Sequence, residues 1–430
     1  MNPVTRQFLM KEFGIRPAVL DLVLESEARL EEVFRHLDEI KEYNQYKVLS
    51  AFQECRISDM HFGWHTGYGY DDPGRAALER LYALIFGSEA ALVRPTIVNG
   101  THALASVYLG VLRPGDQLIY CSGKPYDTME TVIGLRGQGQ GSLKDFGVTY
   151  KQVELTEEGQ IDIPAVLRAI TPKTRMVSVQ RATGYSFRRP LPPDRIGDWV
   201  KACKEYKPDI LCMTDNCYGE FTRELEPTDA GVDIMAGSLI KNPGGGLALS
   251  GGYVAGRRDL VEQVSYRVTS PGIGGECGLT FGQTRAMFQG MFMAPSVVNS
   301  ALKGAALCAQ VFSSLGYQVC PQPEEERNDI IQAVKMGSPE AVTAFCQGIQ
   351  AASPVDAHVQ PVAWDMPGYG DPVIMAAGTF VQGASIELSA DAPMREPYIA
   401  YFQGGLTYEH GKYGVIKTLQ YLLENGHIRF

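Results

Sequence analysis

The sequence predicts an α/β protein: a three-layer α/β/α large domain around a mainly parallel sheet, a smaller α+β C-terminal domain and an N-terminal helical arm. Three observations carry that expectation. Short apolar runs at 90–93, 117–121, 176–179, 210–213 and 234–236 alternate with segments of helical spacing such as 103–112 and 195–204, the pattern of parallel strands covered on both faces. The texture changes after Gly278, where a long helical stretch gives way to paired strands. Finally, 430 residues exceed what one hydrophobic core organises. The expected boundaries are an arm over 1–60, a large domain over 61–283, and a linking helix with the small domain over 284–430.

Taken in order, Pro17 opens a long helix that runs to about residue 46, with proline at its first position. Asp72 caps a second helix and Pro73 starts it; Leu78, Leu81 and Ile85 share its apolar face, and Gly87 closes it. The strand and helix alternation follows. In the last third, a helix over 284–314 precedes paired strands at 373–380 and 383–388 and a terminal helix over 413–424. The sequence shows no internal repeat of solenoid period and no linker long enough to separate independently moving domains.

Composition narrows the function. A hydrophobic fraction of 45% and a charged fraction of 20% are ordinary globular values. A net charge of −10 argues against a nucleic-acid partner, which needs clustered Lys and Arg. Nine cysteines without paired short spacings argue against a disulfide framework or a zinc ribbon and for a reducing, cytoplasmic setting. Arg6, Lys11, Glu12, Arg16 and Pro17 interrupt the first segment, so it offers no signal-peptide core, and no apolar run reaches membrane-spanning length. No membrane partner is expected. His61 and His65 stand four apart, as a zinc pair on a helix would, but no glutamate adjoins them and no metal is expected. Glycine runs at 137–141 and 272–275 lack the Lys-Ser/Thr of a phosphate loop and read as mobile turns.

Four segments carry chemistry. In Ser238-Leu-Ile-Lys241-Asn-Pro-Gly-Gly-Gly246, a strand ends in a hydroxyl, a lysine follows, and a glycine cluster turns the chain. An amine presented there, beside a phosphate-binding hydroxyl, is suited to Schiff-base formation with an aldehyde; alone, it also fits a surface lysine in a glycine-rich turn. The run from Ile210 ends in Asp215 at the carboxyl edge of the sheet, where open α/β folds bind ligands. A carboxylate there can pair with a pyridinium nitrogen, or simply cap a helix. Asn99-Gly100-Thr101 opens a helix whose free N–H groups suit a phosphate, or only a cap. Tyr126 lies in the loop after the 117–121 strand, above the same edge, where it can stack on a flat ring and protonate a leaving group.

These segments, in this order, resemble the aspartate-aminotransferase-like fold of the fold type I pyridoxal-phosphate enzymes. Within it, the chain is similar to the cystathionine-lyase and methionine γ-lyase branch, especially the methionine γ-lyase group also called aluminium-resistance proteins. The stretches bounded by Trp64 and Arg75, Met213 and Phe221, Ser238 and Gly246, and Ser385 and Arg395 carry the resemblance, which covers essentially the whole chain. It implies pyridoxal 5'-phosphate held by Lys241, with Asp215 on the ring nitrogen, Tyr126 stacked on the ring, and Gly100, Thr101 and Ser238 on the phosphate. It also implies a homodimer, or a tetramer built from dimers, with shared active sites, in which Tyr68 or Tyr70 reaches the neighbouring subunit's phosphate.

Departures from the family pattern are specific. Tyr68-Gly-Tyr70 stands where better-known lyases have Tyr-x-Arg, so a phosphate-clamping arginine is missing; Arg181 or Arg75 is the candidate replacement. Ile240 stands where relatives often have a hydroxyl. The stretch Gln180 to Tyr185 lacks the usual Asn-Pro, leaving Arg181 to contact the ring hydroxyl. Arg395 is the candidate for forking onto the carboxylate of an amino-acid substrate; a surface arginine is the alternative. The resemblance implies a carbon–sulfur lyase that yields a thiol, ammonia and a 2-oxo acid, with β- and γ-elimination both open. An aldolase, decarboxylase or aminotransferase on the same fold remains a second reading, a binding or regulatory protein that has lost the chemistry a third, and a nicotinamide dehydrogenase, which lacks its complete fingerprint here, a fourth.

Overall fold

The computed structural model describes residues 1–429. The elements, in chain order, begin with α1 (Pro3–Glu12), α2 (Pro17–Ala28), α3 (Glu31–Glu54), α4 (Pro73–Ile85), β1 (Ala90–Arg94), α5 (Gly100–Val111), β2 (Gln117–Tyr120) and α6 (Asp127–Ile133). The middle of the chain forms β3 (Thr149–Gln152), α7 (Ile163–Ala169), β4 (Thr174–Gln180), α8 (Pro193–Tyr206), β5 (Leu211–Asp215), β6 (Ile234–Ser238), β7 (Gly252–Gly256) and α9 (Arg258–Val268). The rest forms α10 (Thr284–Ser314), β8 (Val319–Cys320), β9 (Ile331–Lys335), α11 (Pro339–Ala352), β10 (Val373–Ala376), β11 (Ser389–Pro393), β12 (Ile399–Gln403) and α12 (Tyr408–Glu424). Two compact units divide the chain, one of residues 43–184 and 190–294, the other of 1–42, 185–189 and the residues from Pro295 on.

The first unit holds a seven-stranded sheet in the order β1-β7-β6-β5-β4-β2-β3. β6, β5, β4, β2 and β3 run parallel, and β7 is antiparallel to both of its neighbours, β6 and β1. This is the mainly parallel sheet that the alternation predicts. Its side chains sort by the two-residue strand period. Leu118, Met176, Met213 and Val254 face a core built with α5 and α9, whereas Ile119, Val177, Val179 and Cys212 face one built with α7 and α8. Both faces are therefore covered, which is why these strands read as continuous apolar runs. The Asp72 cap on α4 is present, its side chain accepting from the Arg75 N–H, with Pro73 in the first turn.

The second unit holds a five-stranded antiparallel sheet, ordered β10-β11-β12-β9-β8. Ala400 and Phe402 of β12 share one buried cluster with Phe345 of α11, Leu419 of α12 and Val19 of α2.

Three local expectations change. The helix over 17–46 is two helices, because α2 stops at Ala28, turns through Arg29 and Leu30, and restarts as α3. The strand expected at 383–388 is a turn; the Glu387 carboxylate accepts from the N–H groups of Phe380 and Val381 at 2.9 Å each, and the partner of β10 is β11, six residues later. His61 lies in a single short turn over Asp59–Phe62 with His65 beyond its end, so their spacing is not a helical face.

Candidate active site

β2, β4, β5 and β6 all end at the carboxyl edge of the parallel sheet, where loops leave the core and side chains can converge. β5 ends in Asp215, paired in register with Gln180 of β4 and Ala236 of β6. β6 ends in Ser238, and Lys241 follows three residues later, at the start of a short turn over Asn242–Gly244. That turn is closed by backbone packing. Gly245 has φ +52°, and a Cβ there would collide with the carbonyl oxygen of Gly290 on α10, just as a Cβ on Gly290 would collide with the carbonyl of Gly244. Asn242 holds the neighbouring loop, its amide donating to the carbonyls of Tyr218 and Glu220 at 3.0 and 2.9 Å.

The Lys241 ammonium stands 4.1 Å from the centre of the Tyr218 ring. Burial opposes its charge, but Cys217, Tyr218, Asp215 and Glu220 together outweigh burial and hold the amine as an ammonium above the usual lysine range. Asp215 is buried, and one of its oxygens accepts from the Cys217 N–H at 3.1 Å. Burial raises its pKa, while the charge on Lys241 and the Cys217 N–H work the other way.

α5 begins beside these groups. Its cap, Asn99, accepts from the His102 N–H at 2.7 Å. A Cβ on Gly100 would stand 3.2 Å from Cys217 Sγ and 3.4 Å from Ser238 Cβ, so glycine lets the helix start approach the strand end. Thr101 Oγ1 lies 2.7 Å from Thr128 Oγ1, which ties the start of α5 to α6, whose N-cap residue is Tyr126. Tyr126 lies close to Gly184, which has φ +56°: a Cβ there would collide with the Gln180 side-chain amide nitrogen and stand 3.3 Å from Tyr126 Cδ2. Gly100, Thr101, Tyr126, Asp215, Ser238 and Lys241 are thus gathered at one edge.

Arg181 lies behind this edge in a protein network of its own. Its guanidinium is wholly buried and donates to Asn216 at 2.8 Å, Glu226 at 3.2 Å and Thr222 at 3.2 Å. Glu226 supplies the carboxylate that a buried arginine needs. Arg75, the other candidate for the missing clamp, is buried and donates to the carbonyls of Gly69, Gly278 and Glu276, bracing two loops. Tyr68 and Tyr70 are 74% and 58% exposed, their rings 5.6 Å apart. Arg395 belongs to the other compact unit, where it pairs with Asp371 at 2.9 Å.

Sequence reasoning singled out Asp215 but passed over Tyr218, Glu220 and Tyr253. Tyr253 donates to Glu220 at 2.7 Å, and burial pushes the Glu220 carboxyl up to about 8. A signal existed: Glu220 is an acid between Gly219 and Phe221, just past a strand too apolar to leave it in water.

The donor set fits pyridoxal phosphate. A buried carboxylate suits the ring nitrogen, a buried amine suits the aldehyde, and a glycine-opened helix start beside Ser238 suits the phosphate. Fold and strand-end residues together define the fold of the fold type I pyridoxal-phosphate enzymes. The pyridoxal-5'-phosphate-dependent protein YhfS of Escherichia coli shares that fold, with a TM-score of 0.60 at 15% identity over 90% of this chain and 97% of its own.

The chain belongs to the methionine gamma-lyase family, whose model matches residues 19–423. The uncharacterized protein YnbB of Bacillus subtilis (strain 168) is 50% identical over 402 residues, 93% of this chain and 96% of its own length. The crystal structure of a carbon-sulfur lyase involved in aluminum resistance from Clostridium novyi NT superposes with a TM-score of 0.94 at 49% identity, covering 97% of this chain and 99% of that one. Among the described residues, no helix is long and apolar enough to cross a membrane.

Proposed function

We propose that this protein is a pyridoxal-phosphate-dependent carbon–sulfur lyase that cleaves a sulfur-containing amino acid to a thiol, ammonia and a 2-oxo acid. The observation that carries the reading is the buried Lys241 amine, which shares its charge environment with the Asp215 strand end in a chain of the methionine gamma-lyase family. When bound, pyridoxal phosphate supplies an electron sink for charge that develops at the substrate's Cα. Lys241 would hold the cofactor through its amine, and the same amine, when free and neutral, would be the base for the substrate's Cα proton. Asp215 would be the partner of the ring nitrogen, a charge-assisted hydrogen bond. Gly100, Thr101 and Ser238 would hold the phosphate through the helix start and a hydroxyl. The Tyr126 hydroxyl gives a proton to the departing thiolate, and Arg395 is the candidate for the substrate carboxylate.

The visible spectrum with added pyridoxal phosphate tests this, before and after borohydride, in the wild type and in Lys241→Ala. A band that borohydride fixes to Lys241, absent from the variant, together with thiol and 2-oxo acid release from L-methionine or L-cystathionine, is the expected outcome. A wild type that stays colourless removes the reading, and aldol cleavage or transamination as the dominant reaction replaces it.

A further inference from the structure

The starts of α5 and α6 are tied by two hydroxyls. Thr101 Oγ1 and Thr128 Oγ1 lie 2.7 Å apart, a hydrogen bond in which either can be the donor. Two hydroxyls carry two protons, and this bond uses one of them. Among the described residues neither hydroxyl has a second hydrogen-bond partner, so one proton of the pair is left without a protein acceptor. It is not the only donor left over here. The Asn99 side chain takes the His102 N–H, which leaves the N–H groups of Gly100 and Thr101 in the first turn of α5 with no acceptor inside the helix.

What stands at the helix start decides which hydroxyl keeps the outward proton. Thr101 is the member of the pair on α5, next to Gly100, where an added Cβ would stand 3.4 Å from Ser238 Cβ. Thr128 is set one residue back from that start, in the first turn of α6, whose Met129 N–H donates to the Tyr126 carbonyl at 2.8 Å. If Thr101 gave its proton to Thr128, it would face an anion with lone pairs alone. In the other direction Thr128 donates to Thr101 and Thr101 donates outward. Hydrogen bonds in such a row strengthen one another, because a hydroxyl that accepts becomes a better donor. An anion at the α5 start therefore selects the second direction, in which one side-chain proton joins the two free N–H groups.

We infer that Thr128 is a positioning residue for the cofactor's phosphate: its hydroxyl donates to Thr101 and so turns the Thr101 proton outward, toward a phosphate at the start of α5. Thr128 acts through Thr101, and no covalent bond is made or broken. The device selects a phosphate ester over the free alcohol, since pyridoxal has the same ring and aldehyde but no anion for the Thr101 proton to meet. The inference rests on the proposed function in taking the α5 start as the phosphate site.

The test separates the phosphate from the ring. Affinities of wild type, Thr128→Val, Thr128→Ser, Thr101→Val and the double variant Thr101→Val/Thr128→Val are measured by equilibrium dialysis, with pyridoxal phosphate and with pyridoxal. Thr128→Val keeps a branched side chain and loses the hydroxyl. It should weaken pyridoxal phosphate about five- to tenfold, the size of one hydrogen bond, and leave pyridoxal within about twofold of wild type. Thr128→Ser should stay within about twofold for both ligands. The double variant should lose no more than Thr101→Val alone, because Thr128 then has nothing to orient. Equal losses for both ligands, the mark of a structural tie between helices, overturn the inference. So do an unchanged affinity in Thr128→Val, a Thr128→Ser no better than Thr128→Val, and losses that add in the double variant. With Lys241 still labelled by borohydride, any of these leaves the proposed function standing; no labelling of Lys241 in wild type overturns both. If Thr128→Val does not fold, Thr101→Val decides: a ratio of the two affinities equal to that of wild type overturns the inference.

Discussion

The Lys241 ammonium lies 4.1 Å from the centre of the Tyr218 ring, and Tyr218 holds that ring in place from left-handed backbone, with φ at 71°. A bulky residue rarely adopts that conformation, and such strain costs on the order of 1–3 kcal/mol. Asn242 offsets it by gripping the Tyr218 carbonyl from the residue directly after the lysine. A cation over a ring in a desolvated site contributes about 1–2 kcal/mol. Tyr218→Leu is therefore expected to make the free Lys241 ammonium roughly five- to thirtyfold easier to deprotonate, measured from the pH dependence of its reaction with an aldehyde, while Tyr218→Phe stays within about threefold of wild type.

Gly100→Ala places a methyl between Cys217 and Ser238, where a Cβ meets atoms at 3.2 and 3.4 Å. Helix propensity favours alanine by about 1 kcal/mol, so thermal stability should hold or drop slightly. Affinity for pyridoxal phosphate, read by equilibrium dialysis, should fall about tenfold as the helix start moves off the strand end.

Arg181→Met leaves Glu226 buried beside Asn216 without its cation. Removing one partner of such a pair costs about 3–5 kcal/mol, and the denaturant midpoint should drop accordingly. Had Arg181 bound the cofactor, affinity would fall while that midpoint stayed near wild type.

Stability should also depend on Glu220. Its folded pKa, raised by burial to about 8 from an ordinary 4.5, means that between those pH values the folded chain binds a proton that the unfolded chain has released. Stability then falls as pH rises through that window, the sign expected when the native state holds more protons. Glu220→Gln should flatten the decline in thermal midpoint between pH 5 and pH 8; a decline equal to that of wild type would assign it to another group.

Arg395→Lys keeps the charge but loses the planar fork. If Arg395 binds the substrate carboxylate, KM should rise about tenfold or more with kcat less affected. The Asp371 pair is half-exposed, so the substitution should leave stability within about 1 kcal/mol.

Much of this molecule is legible in its sequence because the strands at 117–120, 174–180 and 211–215 are buried on both faces and read as apolar runs. Asp215, Ser238 and Lys241 stand out for the complementary reason, as polar groups at the ends of such runs. Edge and inserted strands are harder. β3 alternates exposed and half-buried residues, and β7 opens and closes on glycine, so neither carries a strong signal. For Arg181, sequence shows an arginine near a strand end but not Glu226, forty-five residues on, with which it pairs. Tyr218 and Glu220 escape because their importance lies in what they face across a turn, and no periodicity encodes that.

The contact of Gly244 and Gly245 with Gly290 has a consequence for how this chain can vary. Lys241 is anchored from behind by main chain pressed against main chain, a joint with no side chain to trim or repack. A single methyl at residue 290, on a helix that begins forty-three residues past the lysine, acts as a wedge driven under the Lys241 loop. Tolerance to mutation along α10 is therefore set at that one position by the loop that carries a distant residue, Lys241.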